Sequence, residues 1–235
     1  ARTLNELADA LVYAGIVVFM LVRPFGIQTF YIPSGSMIDT LLVNDMIVAN
    51  KLIYRYSEPQ VGDIVVFKPP KRALNPDQAE TDFIKRLVGK EGDVIEIKNK
   101  ILHRNGKPIN EPYVDYTSGI RGETVLPKDT WSSVYLPDFK LVEDNGQYIP
   151  LQIDGDLVNA VQGRTASEFM LSTQEDMDRL KALPAAKIPK GYFMFMGDNR
   201  NGSADSRTWG LVPRESIIGR SEFVWFPPKR WKMSR

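Results

Sequence analysis

Short, β-branched apolar runs recur along most of this chain, and they constrain its fold more than any other feature of the sequence. The runs are Met46–Ala49, Asp63–Lys68, Asp93–Lys98, Tyr192–Met196 and Ser221–Phe226. Their length and residue content are typical of β-strands. Between Lys100 and Pro108, the dipeptide Asn105-Gly106 predicts a two-residue hairpin turn of type I′. No long alternation of strands with helices is present, so the sequence predicts a mainly β, antiparallel fold.

The N-terminal region holds the longest apolar run of the chain, Ala10–Val22. This run has 13 residues, fewer than the ~20 that a helix needs to span a bilayer. A second apolar stretch, Phe25–Ile32, follows closely. Two interpretations remain open, a membrane anchor and a buried core helix. A cleavable signal peptide fits less well, because Glu6 and Asp9 precede the run and no small-residue cleavage site follows it.

Charge is unevenly distributed along the chain. The stretch Glu111–Lys187 contains seven basic and thirteen acidic residues, whereas the whole chain has a net charge of +1. This polar stretch has one helix signal, in which Ser172 and Glu175 have the spacing of a capping box and apolar residues recur at three-residue intervals from Met177. We interpret the stretch as an inserted acidic subdomain on a basic body, and we expect the basic body to face an anionic membrane.

Composition excludes several classes of function. The chain has no cysteine, which excludes disulfides, thiolate metal sites, iron–sulfur clusters and cysteine nucleophiles. It has one histidine, His103, so a multi-histidine metal site is impossible and a Ser-His-Asp triad would have to use His103. The balance of 30 basic and 29 acidic residues gives no indication of a dedicated nucleic-acid binder.

Three segments carry residues suited to chemistry. The first is Pro33–Met37, a Ser-Gly-Ser turn that exposes a hydroxyl and leaves backbone amides free, as a nucleophile and its oxyanion hole require. The second is Phe83–Gly89, in which Lys85 lies within an apolar run. A buried lysine can lose its proton and act as a base. On this segment alone, an edge-strand lysine that points to solvent is the simpler interpretation.

The third segment is the polar loop Gly197–Arg207. Its alternating charges predict ion pairs between Asp205 and Arg207 and between Asp198 and Arg86. A solvated hairpin loop and a carboxylate cation site also remain possible, although the acidic positions lack the spacing of a calcium loop. We therefore expect neither a metal nor a cofactor.

Together, and in this order, the three segments resemble those of the type I signal peptidase family, membrane-bound Ser-Lys endopeptidases that remove signal peptides. The resemblance covers the N-terminal anchor, IPSGSM, FIKRLVG with the following GD, and GDNR with S-ADSR-WG, but not the acidic stretch. It implies an antiparallel β catalytic core with an N-terminal membrane anchor helix and an inserted α+β or β subdomain. The implied parts are the anchor over residues 1–30, the core over 31–110 and 188–235, and the subdomain over 111–187.

The resemblance implies a role for each matching residue of the catalytic centre. Ser36 would be the nucleophile and Lys85 the general base. The Ser34 hydroxyl and the Ser36 backbone N–H would form the oxyanion hole. Ser203 would orient Lys85 through a hydrogen bond.

The resemblance also implies a substrate and a location. Ile32 and Ile84 would line shallow pockets for the small residues one and three positions before the cut. The substrate would be a secreted preprotein, cut at an Ala-x-Ala-type site through an acyl-enzyme. The catalytic domain would lie on the outer side of the cytoplasmic membrane. The C-terminal FVWFPPKRWKMSR, rich in aromatic and basic residues, would contact the bilayer surface, unless it forms a last core strand with a solvated tail.

The chain departs from the family pattern at two places. Asp39 stands where the family usually has proline, and Asn201-Gly202 stands where it usually has Asp-Asn. The Asp39 carboxylate either raises the pKa of Lys85, which opposes catalysis, or points away. These departures motivate a second hypothesis of function, a catalytically weak relative that binds signal peptides or assembles with membrane partners.

A self-cleaving regulator and a histidine triad have less support from the sequence. A Ser-Lys self-cleaving regulator would carry a DNA-binding helix-turn-helix before the peptidase part, whereas the first 33 residues resemble an anchor. A triad built on His103 would need that residue in the active site, whereas its place beside a hairpin turn indicates a surface histidine.

Overall fold

A computed structural model of the chain describes residues 2–17, 26–74, 81–114, 138–153 and 173–234. The described residues form four α-helices and thirteen β-strands. The helices are α1 (Arg2–Val17), α2 (Ile53–Tyr56), α3 (Gln174–Ala182) and α4 (Ser206–Trp209). The strands pair only in antiparallel fashion within the described residues, which confirms the predicted mainly β, antiparallel class.

The first sheet has eight strands, in the order β1-β2-β12-β3-β4-β10-β11, with β13 paired to β12. Their bounds are β1 Ile27–Tyr31, β2 Met46–Asn50, β3 Ile64–Phe67, β4 Phe83–Gly89, β10 Tyr192–Met196, β11 Val212–Pro213, β12 Ile217–Phe226 and β13 Lys232–Met233. This sheet therefore joins the residues before and after the acidic stretch.

The second sheet has five strands, in the order β7-β6-β5-β8-β9. Their bounds are β5 Ile95–Lys98, β6 Ile101–Arg104, β7 Lys107–Pro108, β8 Phe139–Asp144 and β9 Gln147–Gln152. Asn105 and Gly106 join β6 to β7 with φ values of 54° and 76°, the two positive values that a type I′ turn requires. The predicted hairpin turn is thus confirmed.

Each predicted strand corresponds to an observed one, since the five apolar runs lie in β2, β3, β5, β10 and β12. Buried side chains from these strands form contiguous apolar clusters. One cluster joins the two sheets and includes Val88, Ile97, Phe139 and Met194. Another packs beneath the segment after β1 and includes Met37 and Leu41. The second cluster fixes the segment that carries the predicted nucleophile.

Helix α3 lies within the acidic stretch, and its N-terminus differs by one residue from the prediction. Thr173 is the N-cap, and its side chain accepts a hydrogen bond from the Asp176 backbone N–H at 3.1 Å. Ser172 lies outside the described residues. This register buries Met177 and Leu180 against β8 and β9, and that packing selects between two neighbouring residues that can both cap a helix.

Helix α1 contains the beginning of the N-terminal apolar run, and residues 18–25 lie outside the described part. The large apolar side chains of α1 are exposed, among them Leu7, Leu11 and Tyr13. Within the described residues, α1 included, we find no helix with the length and apolar content needed to cross a bilayer.

Candidate active site

The side chains of Ser36 and Lys85 meet in the interior of the molecule. Lys85 Nζ donates a hydrogen bond to Ser36 Oγ at 2.8 Å and a second one to the Ile84 carbonyl oxygen at 3.1 Å. The exposed fractions are 8% for Ser36 and 6% for Lys85. A hydroxyl and an amine at this separation can exchange a proton directly, as a nucleophile and a general base must.

Strand β4 explains why Lys85 is buried. It pairs with β3 on one side and with β10 on the other, so Lys85 lies on an interior strand. The interpretation of Lys85 as an edge-strand residue that points to solvent is therefore wrong. The partner β10 comes more than a hundred residues later in the chain, and β4 alone gives no sign of that pairing.

Burial is the main influence on the acidity of Lys85. Desolvation disfavours the ammonium form and lowers the pKa of Lys85 from 10.5 to about 8, although the charges of Asp205 and Asp198 act in the opposite direction. A lysine with a pKa near 8 is substantially neutral under mildly alkaline conditions. Lys85 can therefore act as a base without a histidine.

The turn that carries Ser36 is held by its own backbone and by buried neighbours. The Ile38 N–H donates to the Gly35 carbonyl oxygen at 3.2 Å, and the Leu41 N–H donates to that of Met37 at 2.8 Å. Within the described part of the chain, the Ser36 N–H is not a donor in any backbone hydrogen bond. The Ser34 hydroxyl lies 3.4 Å from Ser36 Oγ. The Ser34 hydroxyl implied for the oxyanion hole thus lies beside the hydroxyl of the predicted nucleophile.

Arg86 and Asp198 form a buried ion pair behind the Ser36–Lys85 contact. Arg86 Nε and Nη2 donate to the two Asp198 carboxylate oxygens at 2.7 and 2.6 Å. The Thr40 hydroxyl donates to the same carboxylate at 2.5 Å, and Arg86 Nη1 donates to the Gly62 carbonyl oxygen at 2.8 Å. The pair therefore connects β4, the segment after Ser36 and the loop after β10.

Asp205 and Arg207 form the other predicted ion pair, with Arg207 Nη2 2.7 Å from an Asp205 oxygen. Burial by itself raises the pKa of Asp205, but the Arg207 charge and hydrogen bonds from Arg207 and the Gly197 N–H lower it below its ordinary value. Asp205 also caps α4, because its side chain accepts a hydrogen bond from the Arg207 N–H. The carboxylate thus closes the loop Gly197–Arg207 at its base.

Ser203 lies next to Ser36, the predicted nucleophile, although its implied hydrogen bond to Lys85 is not formed in this structure. Its hydroxyl oxygen is buried without a hydrogen-bond partner among the described residues. A Cβ built on Gly197 would lie 2.3 Å from Ser203 Oγ and 2.4 Å from the Ser36 carbonyl oxygen. The Ser203 side chain and the Ser36 backbone therefore converge on Gly197. The role of Ser203 in orienting Lys85 remains a prediction.

Ile32 and Ile84 belong to one apolar cluster, with exposed fractions of 3% and 8%. Ile84 directly precedes Lys85 on β4, and Ile32 directly follows β1. The two isoleucines implied for the substrate pockets thus meet in one apolar cluster next to Lys85.

Comparison with known proteins decides the family. The family model for signal peptidase, peptidase S26, matches residues 4–226 of this chain. The chain belongs to the signal peptidase family. It is thus related to serine endopeptidases.

Individual members of the signal peptidase family match over most of their length. A signal peptidase I of Aquifex aeolicus is 36% identical over 226 residues, which cover 91% of this chain and 81% of that protein. A probable signal peptidase I-1 of Synechocystis is 30% identical over 223 residues, 94% of this chain and 82% of that protein. A solved signal peptidase I of Enterococcus faecalis is 22% identical, covers 70% of this chain and 97% of that chain, and superposes with a TM-score of 0.38.

The two departures from the signal peptidase pattern occur in different surroundings. The Asp39 side chain is exposed, and the carboxylates that raise the pKa of Lys85 are those of Asp205 and Asp198. The structure thus favours the interpretation in which Asp39 points away.

In Asn201-Gly202, the Gly202 N–H donates to the Asn199 side-chain oxygen at 3.1 Å, so the loop retains local order at this glycine.

His103 takes no part in the contact between Ser36 and Lys85. It lies on β6 of the second sheet, and its Nδ1 is hydrogen-bonded to the Ile101 carbonyl oxygen at 2.9 Å. The one histidine of this signal peptidase family member is thus placed on a hairpin strand, as its sequence position indicated.

Three residues beside the site were not among the candidates from the sequence. Arg200 donates to both carboxylate oxygens of Glu111 at 2.7 and 2.6 Å, and the Tyr113 ring lies 3.8 Å from the Arg86 guanidinium carbon. Arg200 is the cation of the GDNR motif to which the sequence assigned no partner. An arginine without an assigned partner indicated that a carboxylate was missing from the predicted site. The sequence did not identify Glu111 as that carboxylate, because Glu111 was assigned to the acidic stretch.

No grouping of carboxylates and histidine suited to a metal ion occurs among the described residues. The Asp198 and Asp205 carboxylates are instead occupied by arginine side chains.

Proposed function

We propose that this protein cleaves the signal peptides of secreted preproteins through a Ser36–Lys85 dyad. The observation that carries the proposal is the 2.8 Å contact between Ser36 Oγ and Lys85 Nζ, with both side chains buried. Membership of the signal peptidase family supports the substrate class, and the Ser-Lys chemistry is argued from this contact.

Acylation begins with neutral Lys85. Its amine takes the hydroxyl proton while Ser36 Oγ attacks the carbonyl carbon of the scissile peptide bond. The resulting oxyanion accepts hydrogen bonds from the Ser34 hydroxyl and the Ser36 backbone N–H, which stabilise the developing charge. The Lys85 ammonium then donates its proton to the leaving amine, which departs as the new N-terminus of the mature protein.

Deacylation uses the same two residues in reverse. Neutral Lys85 takes a proton from a water molecule, and the hydroxide oxygen attacks the ester carbon of the acyl-enzyme. The tetrahedral intermediate collapses, Ser36 Oγ leaves and Lys85 returns the proton to it. We propose that the buried Ser203 hydroxyl, which has no partner among the described residues, accepts a hydrogen bond from the Lys85 amine during these steps and keeps the amine lone pair directed at the reacting atoms.

Substrate choice follows from the apolar floor that Ile32 and Ile84 provide. Only a small, apolar part of each side chain is exposed. We propose that they line the pockets for the residues one and three positions before the cut, which selects Ala-x-Ala-type sites.

A membrane location is supported by an exposed apolar face on the first sheet. Tyr31 and Phe226 are both register partners of Met46, and Val48 and Met233 are both register partners of Phe223. Directly opposed residues share a face of a sheet, so these side chains form one surface. The exposed fractions are 53% for Tyr31, 39% for Phe223, 46% for Phe226 and 56% for Met233, and Trp231 beside β13 is 70% exposed. This face suits a bilayer interface, and we propose that it lies on the outer surface of the cytoplasmic membrane.

We also propose the division of the chain into an anchor, a catalytic core and an inserted subdomain. Residues 1–30 carry the anchor, whose helix α1 presents exposed apolar side chains, although residues 27–30 already belong to β1 of the first sheet. Residues 31–110 and 188–235 form the catalytic core. Residues 111–187 form a subdomain, in which β8, β9 and α3 bury an apolar cluster of their own.

The test is cleavage of a detergent-solubilised preprotein with an Ala-x-Ala site, with the new N-terminus mapped by mass spectrometry. We expect the wild type to cut after the second alanine, and Ser36→Ala and Lys85→Ala to remain at background. A folded wild type that leaves this preprotein intact, or cuts it elsewhere, contradicts the proposed specificity. Activity retained by Lys85→Ala contradicts the assignment of the base.

A further inference from the structure

Another ion pair, between a buried aspartate and a partly exposed arginine, lies at the end of the segment that carries Ser36. Asp45 is 1% exposed, and Arg230 donates to both of its carboxylate oxygens, from Nε at 2.7 Å and from Nη2 at 2.9 Å. One of these oxygens also accepts a hydrogen bond from the Leu42 backbone N–H at 2.8 Å. The Asp45 carboxylate therefore organises its own turn and binds a residue from the other end of the chain.

The segment Ile32–Asp45 is closed into a loop at its base. The Ile32 N–H donates to the Asp45 carbonyl oxygen at 2.9 Å, and the Asn44 N–H donates to the Ile32 carbonyl oxygen at 2.9 Å. Ser36 lies inside this closed loop. Because the two ends of the loop are hydrogen-bonded to each other, the position of Asp45 influences the position of the whole loop, including Ser36.

Arg230 is itself anchored to the first sheet. It ends a short 3-10 turn, Pro228–Arg230, that directly follows β12, and β13 returns from it to pair with β12. A second contact joins the same parts of the chain, since Lys232 Nζ lies 3.5 Å from the Asp39 carbonyl oxygen. The C-terminal region therefore contacts the segment Ile32–Asp45, the Ser36 loop, at two points.

From these contacts we infer that Asp45 and Arg230 form a positioning pair, which holds the Ser36 loop in register with Lys85 on β4. The inference rests on the proposed function for its catalytic consequence. Neither residue touches the reacting atoms, so both act through the loop. Loss of the pair would leave the loop in place on average but would let Ser36 sample positions away from Lys85, and small misplacements of reacting groups are costly in rate.

The experiment compares Asp45→Asn, Arg230→Gln and the double variant with wild type, on an Ala-x-Ala peptide in uncharged detergent micelles. Asp45→Asn retains an oxygen for the Leu42 N–H and removes the charge. We expect kcat to fall about tenfold in each variant, with KM within about twofold, because the loop and not the pocket is loosened. The double variant should fall no further than the worse single variant, since the two residues act as a unit.

Three controls separate positioning from a general loss of stability. Arg179→Gln removes the bidentate pair between Arg179 and Asp144, which lies at α3 and β8, and we expect it to retain wild-type kcat. Arg230→Lys keeps the charge and should recover part of kcat. Thermal unfolding of each variant shows whether it is folded at the assay temperature, and a purely structural defect would disappear on cooling whereas a positioning defect would not.

Amide hydrogen exchange of residues 33–44 provides a readout that does not depend on activity. We expect faster exchange there in Asp45→Asn and Arg230→Gln than in wild type, with exchange in β4 unchanged. Wild-type kcat in folded variants, multiplicative losses in the double variant or unchanged exchange in the loop would each overturn the inference. Failure of the wild type to cleave would instead contradict the proposed function, and the exchange data would still decide whether the pair holds the loop.

Discussion

At the scale of single residues, the proposed mechanism depends on how Lys85 becomes a base in a chain with one histidine. Burial lowers the pKa of Lys85 to about 8, and only the neutral amine can take the Ser36 proton. Below that pKa the ammonium form predominates and activity must decline.

The pH dependence of kcat/KM tests this directly. We expect it to rise about tenfold per pH unit on the acid side and to level off above a midpoint near 8. His103→Ala should retain the same profile, because His103 lies on β6. A midpoint between 6 and 7 that disappears in His103→Ala would contradict the assignment of Lys85.

The same shift has a consequence for stability. Because the pKa of Lys85 is about 8 in the folded state and 10.5 ordinarily, the unfolded chain binds the proton more tightly, so Lys85 destabilises the fold at neutral pH. The penalty fades as pH rises from about 8 to 10.5. We expect Lys85→Met, which removes the charge and two hydrogen bonds, to be inactive yet about 2 kcal/mol more stable at pH 7. Urea unfolding at pH 7 and pH 10 measures this, with Ser36→Ala as the matched inactive control. A Lys85→Met gain that does not shrink at pH 10 would contradict the account.

At the scale of elements, the site depends on the close approach of the Ser36 turn to the loop after β10. Gly197 lies where they meet, and a Cβ there would overlap the Ser36 carbonyl oxygen at 2.4 Å and Ser203 Oγ at 2.3 Å. A backbone atom cannot yield as a flexible side chain can. We expect Gly197→Ala to lower the free energy of unfolding by about 1–3 kcal/mol and to reduce kcat strongly. The control is Gly15→Ala on α1, where nothing lies within 4 Å of the added Cβ. Equal activity and stability of the two variants would show that the Ser36 turn and the loop after β10 are not in close contact at Gly197.

The strands and turns show which parts of the fold can be predicted from the sequence. The five apolar runs located strands because alternation and β-branching are local signals, and Asn105-Gly106 located a turn because both residues tolerate positive φ. The position of β4 inside the sheet was not accessible, since it depends on pairing with a distant strand. The contacts of Arg200 with Glu111 and of Arg230 with Asp45 were missed for the same reason. The motifs indicated candidate residues for the chemistry, but not the contacts that hold them in place.

At the scale of the whole molecule, we propose that an apolar face of the first sheet lies against a bilayer. Trp231 is 70% exposed beside that face, whereas Trp209 is 2% exposed within the core. In vesicles with brominated acyl chains, we expect quenching of tryptophan fluorescence in the wild type, less of it in Trp231→Phe and no change in Trp209→Phe. Equal quenching in the wild type and Trp231→Phe would contradict the proposed orientation.

The central claim is that Ser36 attacks the substrate with the help of Lys85, and the acyl-enzyme tests it most directly. Wild-type protein is mixed with saturating preprotein, quenched in acid within milliseconds and digested, and the peptide that contains Ser36 is weighed. We predict an added mass equal to that of the signal peptide minus one water molecule, joined as an ester to Ser36, and no such adduct in Ser36→Ala or Lys85→Ala. An ester on another residue, or turnover by Ser36→Ala at the wild-type rate, would contradict it.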